Sequence, residues 1–378
     1  MDAGMLVRAM KNIYTVNLAV RPGERVFVFT DTITPDEVMD DIERARREGL
    51  VTLARAAAEA GRELGFEVIY IEYPSLGSPG SEPAEGVWRL AFGDAVVDTL
   101  RDTGLLDRLI RKESEPEDVA RARAVVTARR QDVVDAVIAL SNYSTSHTRF
   151  RDLMTSAAGT RYASMPLFEE YMLEGSMNVD WAAVSARCDA VAAGLEGGES
   201  VRVTTAAGTD IAFGINGREV MKDTGMLREP GSFSNLPAGE VFLAPVEGTA
   251  EGRLVIEWGP NRKLTSPITV NVRGGRAEEV IGDDPYVEEL RLALRRAPDN
   301  PNIAELGIGT NDRAERPDNI LETEKILGTV HIAFGDNTSF GGSVSTPFHQ
   351  DFVFFGPTLE VIRPDGRRII IENGRHKV

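Results

Sequence analysis

The stretch Arg25-Val26-Phe27-Val28-Phe29-Thr30 follows the turn-forming pair Pro22-Gly23 and carries an unbroken run of apolar residues. Such a short run, rich in β-branched and aromatic side chains, is typical of a strand that is buried on both faces. A helical pattern with apolar residues at steps of three and four follows from about residue 36 to residue 61. A second strand is predicted for Glu67-Val68-Ile69-Tyr70-Ile71-Glu72. This order of strand, helix and strand predicts a parallel sheet flanked by helices.

A third strand, predicted from Val133 to Leu140, leads into a polar segment that contains His147 and Arg151. Ligands of open α/β sheets bind at the carboxyl ends of the strands. His147 is therefore a candidate catalytic residue, and Arg151 is a candidate substrate-binding residue. The alternative is structural, with Ser146 or Thr148 capping a helix that begins here.

After about residue 195, short runs of alternating apolar and polar residues, separated by glycine, replace the earlier succession of strand and helix patterns. Val201-Arg202-Val203-Thr204-Thr205 and Arg253-Leu254-Val255-Ile256-Glu257 are examples, and only Tyr286 to Arg296 has a strongly helical pattern. We therefore predict an N-terminal parallel-sheet α/β domain, residues 1–190, and a C-terminal mostly-β α+β domain, residues 191–378, which carries the metal site.

Composition restricts the class of partner. The chain has 378 residues and a formal net charge of −17, which argues against nucleic acid and anionic membrane surfaces because both need a basic counter-surface. No apolar run approaches the roughly 18–20 residues of a membrane-spanning helix, and the N-terminus does not resemble a signal peptide. The single cysteine, Cys188, excludes an intramolecular disulfide. We expect a cytoplasmic protein in which Cys188 is a buried structural residue.

Common cofactor and nucleophile signatures are absent from the sequence. Thr30-Asp31-Thr32 stands where a dinucleotide site would need glycines, and no phosphate-binding loop of the Walker type occurs. No Gly-x-Ser-x-Gly segment is present for a serine triad. The sequence therefore gives no support for NAD, ATP or serine-nucleophile chemistry.

Histidine and acidic residues concentrate near the C-terminus. His331 lies in the strand-like run Val330-His331-Ile332-Ala333-Phe334-Gly335, and Phe348-His349-Gln350-Asp351-Phe352 follows. Residues two apart in a strand point to the same face, so His349 and Asp351 can reach one metal ion together. The alternative is that both histidines are surface residues of β-hairpins.

Two lone glutamates precede these histidines. Glu240 follows a Pro/Gly turn at the start of an apolar run, and Glu305 is the single carboxylate of Ile303-Ala304-Glu305-Leu306-Gly307-Ile308-Gly309. A buried carboxylate is costly unless it is paired or binds a metal. The alternative for each glutamate is an exposed position on an edge strand.

Four segments together resemble the M29 metallo-aminopeptidases, the group of aminopeptidase T and aminopeptidase S. They are, in order, Asn235-Leu236-Pro237-Ala238-Gly239-Glu240, Glu305-Leu306-Gly307-Ile308-Gly309-Thr310-Asn311, Gly328-Thr329-Val330-His331-Ile332-Ala333-Phe334-Gly335 and His349-Gln350-Asp351. The resemblance extends over about residues 195–360 and is looser in the N-terminal half. It implies an α/β N-terminal domain, a distinct C-terminal domain and a homodimer with an enclosed active-site cavity.

The resemblance also implies a function. It is that of a metal-dependent aminopeptidase, a hydrolase that removes N-terminal residues from peptides through a metal-activated water. The implied ligands of a two-metal site are Glu240, Glu305, His331, His349 and Asp351. Mixed carboxylate and imidazole ligands suit Zn²⁺, Co²⁺, Mn²⁺ or Fe²⁺ better than Ca²⁺. Two such ions would hold a bridging water and polarise the scissile carbonyl.

One position departs from the family pattern. The family's peptidases have a catalytic tyrosine seven positions after the first histidine, and Thr338 stands at that position here. Some relatives of these peptidases are ring-cleaving dihydroxypyridine dioxygenases, which use one iron ion held by histidine and aspartate. The alternative function is therefore that of a mononuclear iron dioxygenase.

Two further residues complete the candidate site. Glu247, in Pro245-Val246-Glu247-Gly248, is a candidate for proton transfer or for orienting a ligand, and a surface turn explains it equally well. Arg218 is a candidate for binding a substrate carboxylate, the alternative being a surface arginine beside the turn Asn216-Gly217. We expect His147, Arg218 and the metal ligands to line one cavity between the domains.

Overall fold

The computed structural model describes residues 2–378 and contains both helices and strands. In chain order the strands are β1 (Arg25–Thr32), β2 (Glu67–Pro74), β3 (Ala136–Ala139), β4 (Arg161–Ser164), β5 (Ser200–Thr204), β6 (Asp210–Gly214), β7 (Met221–Asp223), β8 (Phe233–Asn235), β9 (Glu240–Leu243), β10 (Glu251–Trp258), β11 (Lys263–Arg273), β12 (Arg276–Ile281), β13 (Ile303–Gly309), β14 (Val330–Gly335), β15 (His349–Phe354), β16 (Thr358–Arg363), β17 (Gly366–Glu372) and β18 (Arg375–His376). The α-helices are α1 (Ala3–Asn12), α2 (Asp41–Glu63), α3 (Glu85–Phe92), α4 (Asp94–Asp102), α5 (Leu105–Ile110), α6 (Pro116–Ala128), α7 (Arg149–Leu153), α8 (Trp181–Leu195), α9 (Tyr286–Arg295) and α10 (Ile320–Thr323).

The chain divides into two compact units, and it passes between them more than once. The first unit contains the chain up to Met177 together with Gly225–Pro237. The second contains Asn178–Thr224 and Ala238–Val378. The boundary predicted near residue 190 lies within α8, which belongs to the second unit.

The first unit is built on a five-stranded sheet in the order β2-β1-β3-β4-β8. Every neighbouring pair of strands in it is parallel. The apolar run that opened the sequence analysis is fully buried in β1, as expected for a strand covered on both faces. The predicted parallel-sheet α/β domain is confirmed.

Helix α2 follows β1 and begins at Asp41, later in the chain than the start predicted near residue 36. Asp40 caps the helix, because its carboxylate accepts a hydrogen bond from the amide of Glu43. The acidic first turn, which includes Asp41, also suits the positive end of the helix dipole. The chain leaves the helix through Gly65, whose φ of +83° favours glycine.

The second unit is mostly β. It contains an eight-stranded sheet in the order β12-β11-β10-β6-β5-β16-β17-β18 and a five-stranded sheet in the order β15-β14-β13-β9-β7. All strand pairs in both sheets are antiparallel. The predicted C-terminal domain of mostly β structure with a few helices is confirmed. Among the helices of residues 2–378, none is long and apolar enough to cross a membrane.

Candidate metal centre

The five predicted metal ligands lie on four neighbouring strands of the five-stranded antiparallel sheet. Glu240 begins β9, Glu305 lies in β13 and His331 in β14. His349 and Asp351 lie in β15. Residues that were far apart along the chain are therefore brought together by strand pairing.

The strand register places these side chains on the same face of the sheet. Ala333 of β14 pairs with Glu305 on one side and with Asp351 on the other. Gly307 pairs with His331, and residues directly opposite each other in a sheet point to the same face. Because side chains alternate along each strand, the remaining ligands follow the same face. Neighbouring positions of these strands supply the opposite, apolar face, which includes Leu306, Ile308, Ile332, Phe334 and Phe352.

Small residues between the ligands leave space on this face of the sheet for the ligand side chains. Gly307 is the clearest case, because a Cβ atom there would lie 1.8 Å from Nε2 of His331. The imidazole therefore lies directly over the glycine backbone. In β14, Ala333 pairs with Glu305 and Asp351, and Gly335 pairs with His349, so no large β14 side chain lies opposite these ligands.

The imidazole nitrogens face the carboxylates at close range. Nε2 of His331 lies 3.4 Å from Oε1 of Glu305 and 3.6 Å from Oε2 of Glu240. Nε2 of His349 lies 3.2 Å from Oε2 of Glu305 and 3.5 Å from Oδ2 of Asp351. Glu305 thus stands between the two rings, with one oxygen directed at each.

The ring of His349 is oriented by a backbone contact. Its Nδ1 lies 2.8 Å from the carbonyl oxygen of Asp336, which only accepts hydrogen bonds. Nδ1 therefore carries a proton, and Nε2 is the nitrogen presented to Glu305 and Asp351. Metal-binding histidines are commonly oriented by such a hydrogen bond from the nitrogen that does not bind the metal.

The donor set fits a divalent transition-metal ion. Glu305, His331 and Asp351 each offer one donor atom, and these atoms all lie within 4.8 Å of one another. Within residues 2–378, Oε2 of Glu240 and Oδ1 of Asp351 are buried without a hydrogen-bond partner. Buried polar atoms are normally paired, so these oxygens indicate a missing positive partner. Three or more carboxylate and imidazole donors that converge in this way can bind a metal ion.

The pKa shifts within the cluster also favour a bound cation. Burial alone would lower the pKa of His331, but the hydrogen bond with Glu305 and the charge of Glu240 raise it to about 9. Burial opposes the ionisation of Asp351, yet the neighbouring His349 and His331 hold its pKa well below the usual range. Negative charge is therefore concentrated around the rings, where a cation would be stabilised.

Lys325 and Glu324 are site residues that the sequence analysis missed. Lys325 is fully buried, and its Nζ lies 3.0 Å from Oε1 of Glu240 and 2.8 Å from Oε2 of Glu324. Burial alone would lower the pKa of Lys325, but the charges of Glu240 and Glu324 outweigh burial and raise this pKa above its usual value. A lysine in an otherwise unremarkable loop gives no sequence signal of burial, because its partners are fixed only by the tertiary fold.

Glu247 and Arg218 are paired with each other beside the loop that precedes β15. Glu247 accepts hydrogen bonds from the amide of Ser343, at 2.7 Å, and from Nδ2 of Asn337, at 3.2 Å. Arg218 pairs with Glu247 and also donates to the carbonyl of Gly341. Both residues therefore hold this loop, and the proton-transfer and substrate-binding roles stay predictions.

Thr338 lies in the same loop and is exposed. Its hydroxyl donates to Oδ1 of Asp336 at 3.0 Å. A catalytic role for Thr338, at the position of the family's tyrosine, stays a prediction.

His147 and Arg151 belong to the first unit. His147 lies in the exposed part of the loop between β3 and α7. The hydroxyl of Thr148 accepts a hydrogen bond from the amide of Arg151, so the predicted helix cap is confirmed. Nε of Arg151 donates to the carbonyl of Ser146, and its guanidinium lies 4.3 Å from the centre of the Phe233 ring. The functional roles of His147 and Arg151 stay predictions.

Cys188 has the structural role that was expected. It is buried, and its Sγ lies 3.1 Å from Oγ1 of Thr310. Burial raises the pKa of its thiol to about 12, so the reactive thiolate is suppressed.

Comparison with known proteins identifies relatives with an oxygenase function. A family model described as "NicX: 2,5-dihydroxypyridine 5,6-dioxygenase" matches residues 156–377. A 2,5-dihydroxypyridine 5,6-dioxygenase of Pseudomonas putida KT2440 is 27% identical over 173 residues, which is 42% of this chain and 49% of the relative. The alignment with this curated relative therefore spans about half of its length.

Two solved structures share the fold. That of 2,5-dihydroxypyridine dioxygenase from Pseudomonas putida KT2440 superposes with a TM-score of 0.70 at 20% identity, covering 100% of this chain and 98% of the other. Wild-type AmpT from Thermus thermophilus superposes with a TM-score of 0.56 at 17% identity, covering 99% of both chains. The resemblance to the M29 group is thus confirmed for the fold.

The predicted aminopeptidase function is wrong. The family model and the sequence relative both describe a dioxygenase, so the predicted hydrolase and protease assignments are wrong as well. The error has a physical source, because carboxylate and imidazole donors determine where a metal binds and not which reaction it supports. The homodimer and the cytoplasmic location stay predictions.

Proposed function

Because the chain belongs to the 2,5-dihydroxypyridine 5,6-dioxygenase family, we propose that it is an iron-dependent dioxygenase that opens the ring of a dihydroxylated pyridine. The observation that carries this proposal is that His331, His349 and Asp351 gather around Glu305. The oxygens of Glu305 lie 3.4 Å from Nε2 of His331 and 3.2 Å from Nε2 of His349, and Oδ2 of Asp351 lies 3.5 Å from Nε2 of His349. Two imidazoles and one carboxylate with open positions are the donor set of non-haem Fe²⁺ oxygenases.

We propose one Fe²⁺ ion per chain, held by these three residues with Glu305 between the two rings. Iron bound there would supply the one-electron chemistry with dioxygen that protein side chains do not provide. The protein's own part is to fix the donors. The Asp336 carbonyl orients the His349 ring, and the glycine at Gly307 leaves space for the His331 ring.

The proposed reaction consumes one dioxygen molecule per substrate. One carbon–carbon bond of the pyridine ring breaks, between carbons 5 and 6 by analogy with the relative's name. Both oxygen atoms enter the ring-opened product, so no additional reductant is needed. The substrate is a small molecule.

The test uses purified protein that has been stripped of metal and reloaded without oxygen. Separate samples receive Fe²⁺, Mn²⁺, Co²⁺ or Zn²⁺ and then 2,5-dihydroxypyridine in aerated buffer. We expect oxygen uptake and loss of the ring absorbance with Fe²⁺ alone, and incorporation of both labelled atoms from ¹⁸O₂ by mass spectrometry. Asp351→Ala should abolish uptake, because it removes a charged metal ligand. Protein that binds Fe²⁺ but consumes no oxygen with dihydroxylated pyridines would rule the proposal out.

A further inference from the structure

Two phenylalanine rings lie beside the candidate metal ligands in the second unit. Phe242 of β9 pairs with Gly307, and Gly307 pairs with His331, so these positions share the face of the sheet that carries the ligands. Phe340 comes from the loop that precedes β15, and its ring centre lies 5.9 Å from that of Phe242. It also lies 5.9 Å from the ring centre of His349, in an edge-to-face arrangement. Phe340 therefore connects β9 with β15, although these strands do not pair with each other.

Hydrogen bonds within the loop that precedes β15 hold Phe340 in place. Asn337 is fully buried, and its Oδ1 accepts a hydrogen bond from the amide of Val344 at 2.9 Å. Its Nδ2 donates to Oε1 of Glu247 at 3.2 Å. The amide of Gly342 donates to the carbonyl of Asn337, and a Cβ atom on this glycine would lie 1.9 Å from Cγ of Asn337. A ring on a turn that is fixed in this way can bind a ligand without first being ordered.

Phe340 brings an apolar ring, and not a polar group, to the ligand cluster. Thr338 in the same turn is exposed, and its hydroxyl donates to Oδ1 of Asp336. Phe340 is only half-buried, so part of its ring remains open beside the ligands. An apolar wall next to a few converging polar groups is typical of small-molecule sites. An aromatic wall favours a planar aromatic ligand, because two such rings gain binding free energy by stacking or meeting edge to face.

We propose that Phe340 and Phe242 form one wall of the substrate site, and that Phe340 makes this site prefer planar aromatic molecules over non-aromatic ones of similar size. A peptide backbone gains less from such a wall, because its amide groups need hydrogen-bond partners that two phenylalanine rings do not supply. The inference deepens the proposed function and rests on its metal site, but not on any reaction with dioxygen. Binding without turnover therefore tests it.

The experiment measures binding to protein loaded with Co²⁺, by calorimetry. The probes are benzoate and cyclohexanecarboxylate, which carry the same carboxylate on a planar and on a puckered six-carbon ring. We expect wild-type protein to bind benzoate more tightly. Phe340→Leu keeps an apolar side chain but removes the aromatic ring, so its affinity for benzoate should fall by about 2–10-fold, the factor that an aromatic pair contributes beyond buried area. Its affinity for cyclohexanecarboxylate should not change.

Two further variants serve as controls. Phe340→Tyr keeps the aromatic ring and should keep the preference for benzoate. Phe355→Leu removes a half-buried phenylalanine of the same unit, whose ring centre lies 6.0 Å from that of Trp258, and should bind both probes as the wild type does. Titration with Co²⁺ should give equal metal affinities for wild type and Phe340→Leu, because Phe340 supplies no metal donor.

The possible outcomes separate this inference from the proposed reaction. Equal affinities of the wild type for the two probes would overturn it, and so would an unchanged affinity for benzoate in Phe340→Leu. A loss of Co²⁺ affinity in Phe340→Leu would mean that Phe340 only holds His349 in position, which also overturns it. Wild-type protein that binds no Co²⁺ would overturn both the metal site and the wall. The expected preference for benzoate without oxygen uptake on dihydroxylated pyridines would support the wall and count against the reaction.

Discussion

Glu82 is a buried carboxyl group of the first unit, placed at the start of α7. It is 7% exposed, and its Oε2 accepts a hydrogen bond from the amide of Phe150 at 3.1 Å. Burial raises the pKa of Glu82 to about 7, although the amides of Arg149 and Phe150 oppose that shift. A carboxyl with a raised pKa binds its proton more tightly in the folded chain than in the unfolded chain. Its contribution to stability is therefore present at low pH and lost as the pH rises.

We expect the first unit to lose stability as the pH rises from about 4.3, the pKa of an unfolded glutamate, to about 7, the pKa of Glu82 in the folded chain. This rise in the pKa of Glu82 is equivalent to about 3 kcal/mol of unfolding free energy. Glu82→Gln removes the titrating group, so the Tm of the variant relative to wild type should rise across this range. Thermal unfolding at several pH values measures it, with exposed Glu113→Gln as the control. A Tm difference that does not change with pH would contradict the prediction.

Single residues also mark what the sequence can and cannot predict about the site. Glu305, His331 and Asp351 are predictable, because carboxylates and imidazoles are rare in apolar strands and the two-residue period puts them on one face. Lys325 is not, because it lies in a loop, its partner Glu240 comes from the distant strand β9, and nothing in the local sequence shows that the lysine is buried. The reaction is not predictable from the ligands either, because peptidase-like and oxygenase-like chemistry draw on similar donors.

At the scale of elements, the pairing of β13 with β14 determines the shape of the candidate metal centre. Gly307 lies opposite His331 in this register, and a methyl group there would overlap the imidazole. A shift of the register by one residue would send His331 to the apolar face. The centre therefore depends on the strands as much as on the ligands.

Gly307→Ala is expected to displace the His331 ring while the sheet remains formed. Overpacking of this kind costs about 1–3 kcal/mol of unfolding free energy. We expect the affinity for Co²⁺ to fall by about 10–100-fold, the range seen when the orientation of a ligand is disturbed. Calorimetric titration measures the affinity. Gly49→Ala in α2 is the control, because a Cβ there meets nothing within 4 Å. Unchanged affinity in Gly307→Ala would show that the ring position does not matter.

The elements themselves were predictable to different degrees. The buried run of β1 and the helix α9 follow from their apolar periods, because long regular patterns depend little on tertiary context. Strand β8 has three residues and only one apolar side chain, so its place in the parallel sheet depends on β4 and has no local signal.

At the scale of the whole molecule, the first unit is assembled from two separate pieces of chain. The segment Gly225–Pro237 supplies β8, which pairs with β4 at the edge of the sheet. The amide of Leu236 donates to the carbonyl of Ser164, and the side chain of Asn17 donates to the carbonyl of Gly225. A fragment that ends at Met177 therefore lacks an edge strand that the sheet requires.

We expect a fragment of residues 1–177 to be stabilised by an added peptide of residues 225–237. The peptide would supply β8 and cover the exposed edge of β4. At a peptide concentration of about 100 times the Kd, the gain is about 2.7 kcal/mol, which raises the Tm by roughly 5–10 °C for a domain of this size. Thermal unfolding with the peptide and with a scrambled version measures the effect. Equal Tm values with both peptides would show that β8 is dispensable.

The return of the chain to the first unit also has a consequence for biosynthesis. After Met177 the ribosome adds 58 residues before β8 is complete at Asn235, and most of them belong to the other unit. At roughly 5–20 residues per second, translation of this stretch takes about 3–12 s. During that time the nascent first unit has an open strand edge at β4, which other nascent chains can pair with. Crowded polysomes or slow codons in this stretch would therefore lower the yield of native protein, whereas chaperones that cover strand edges would raise it.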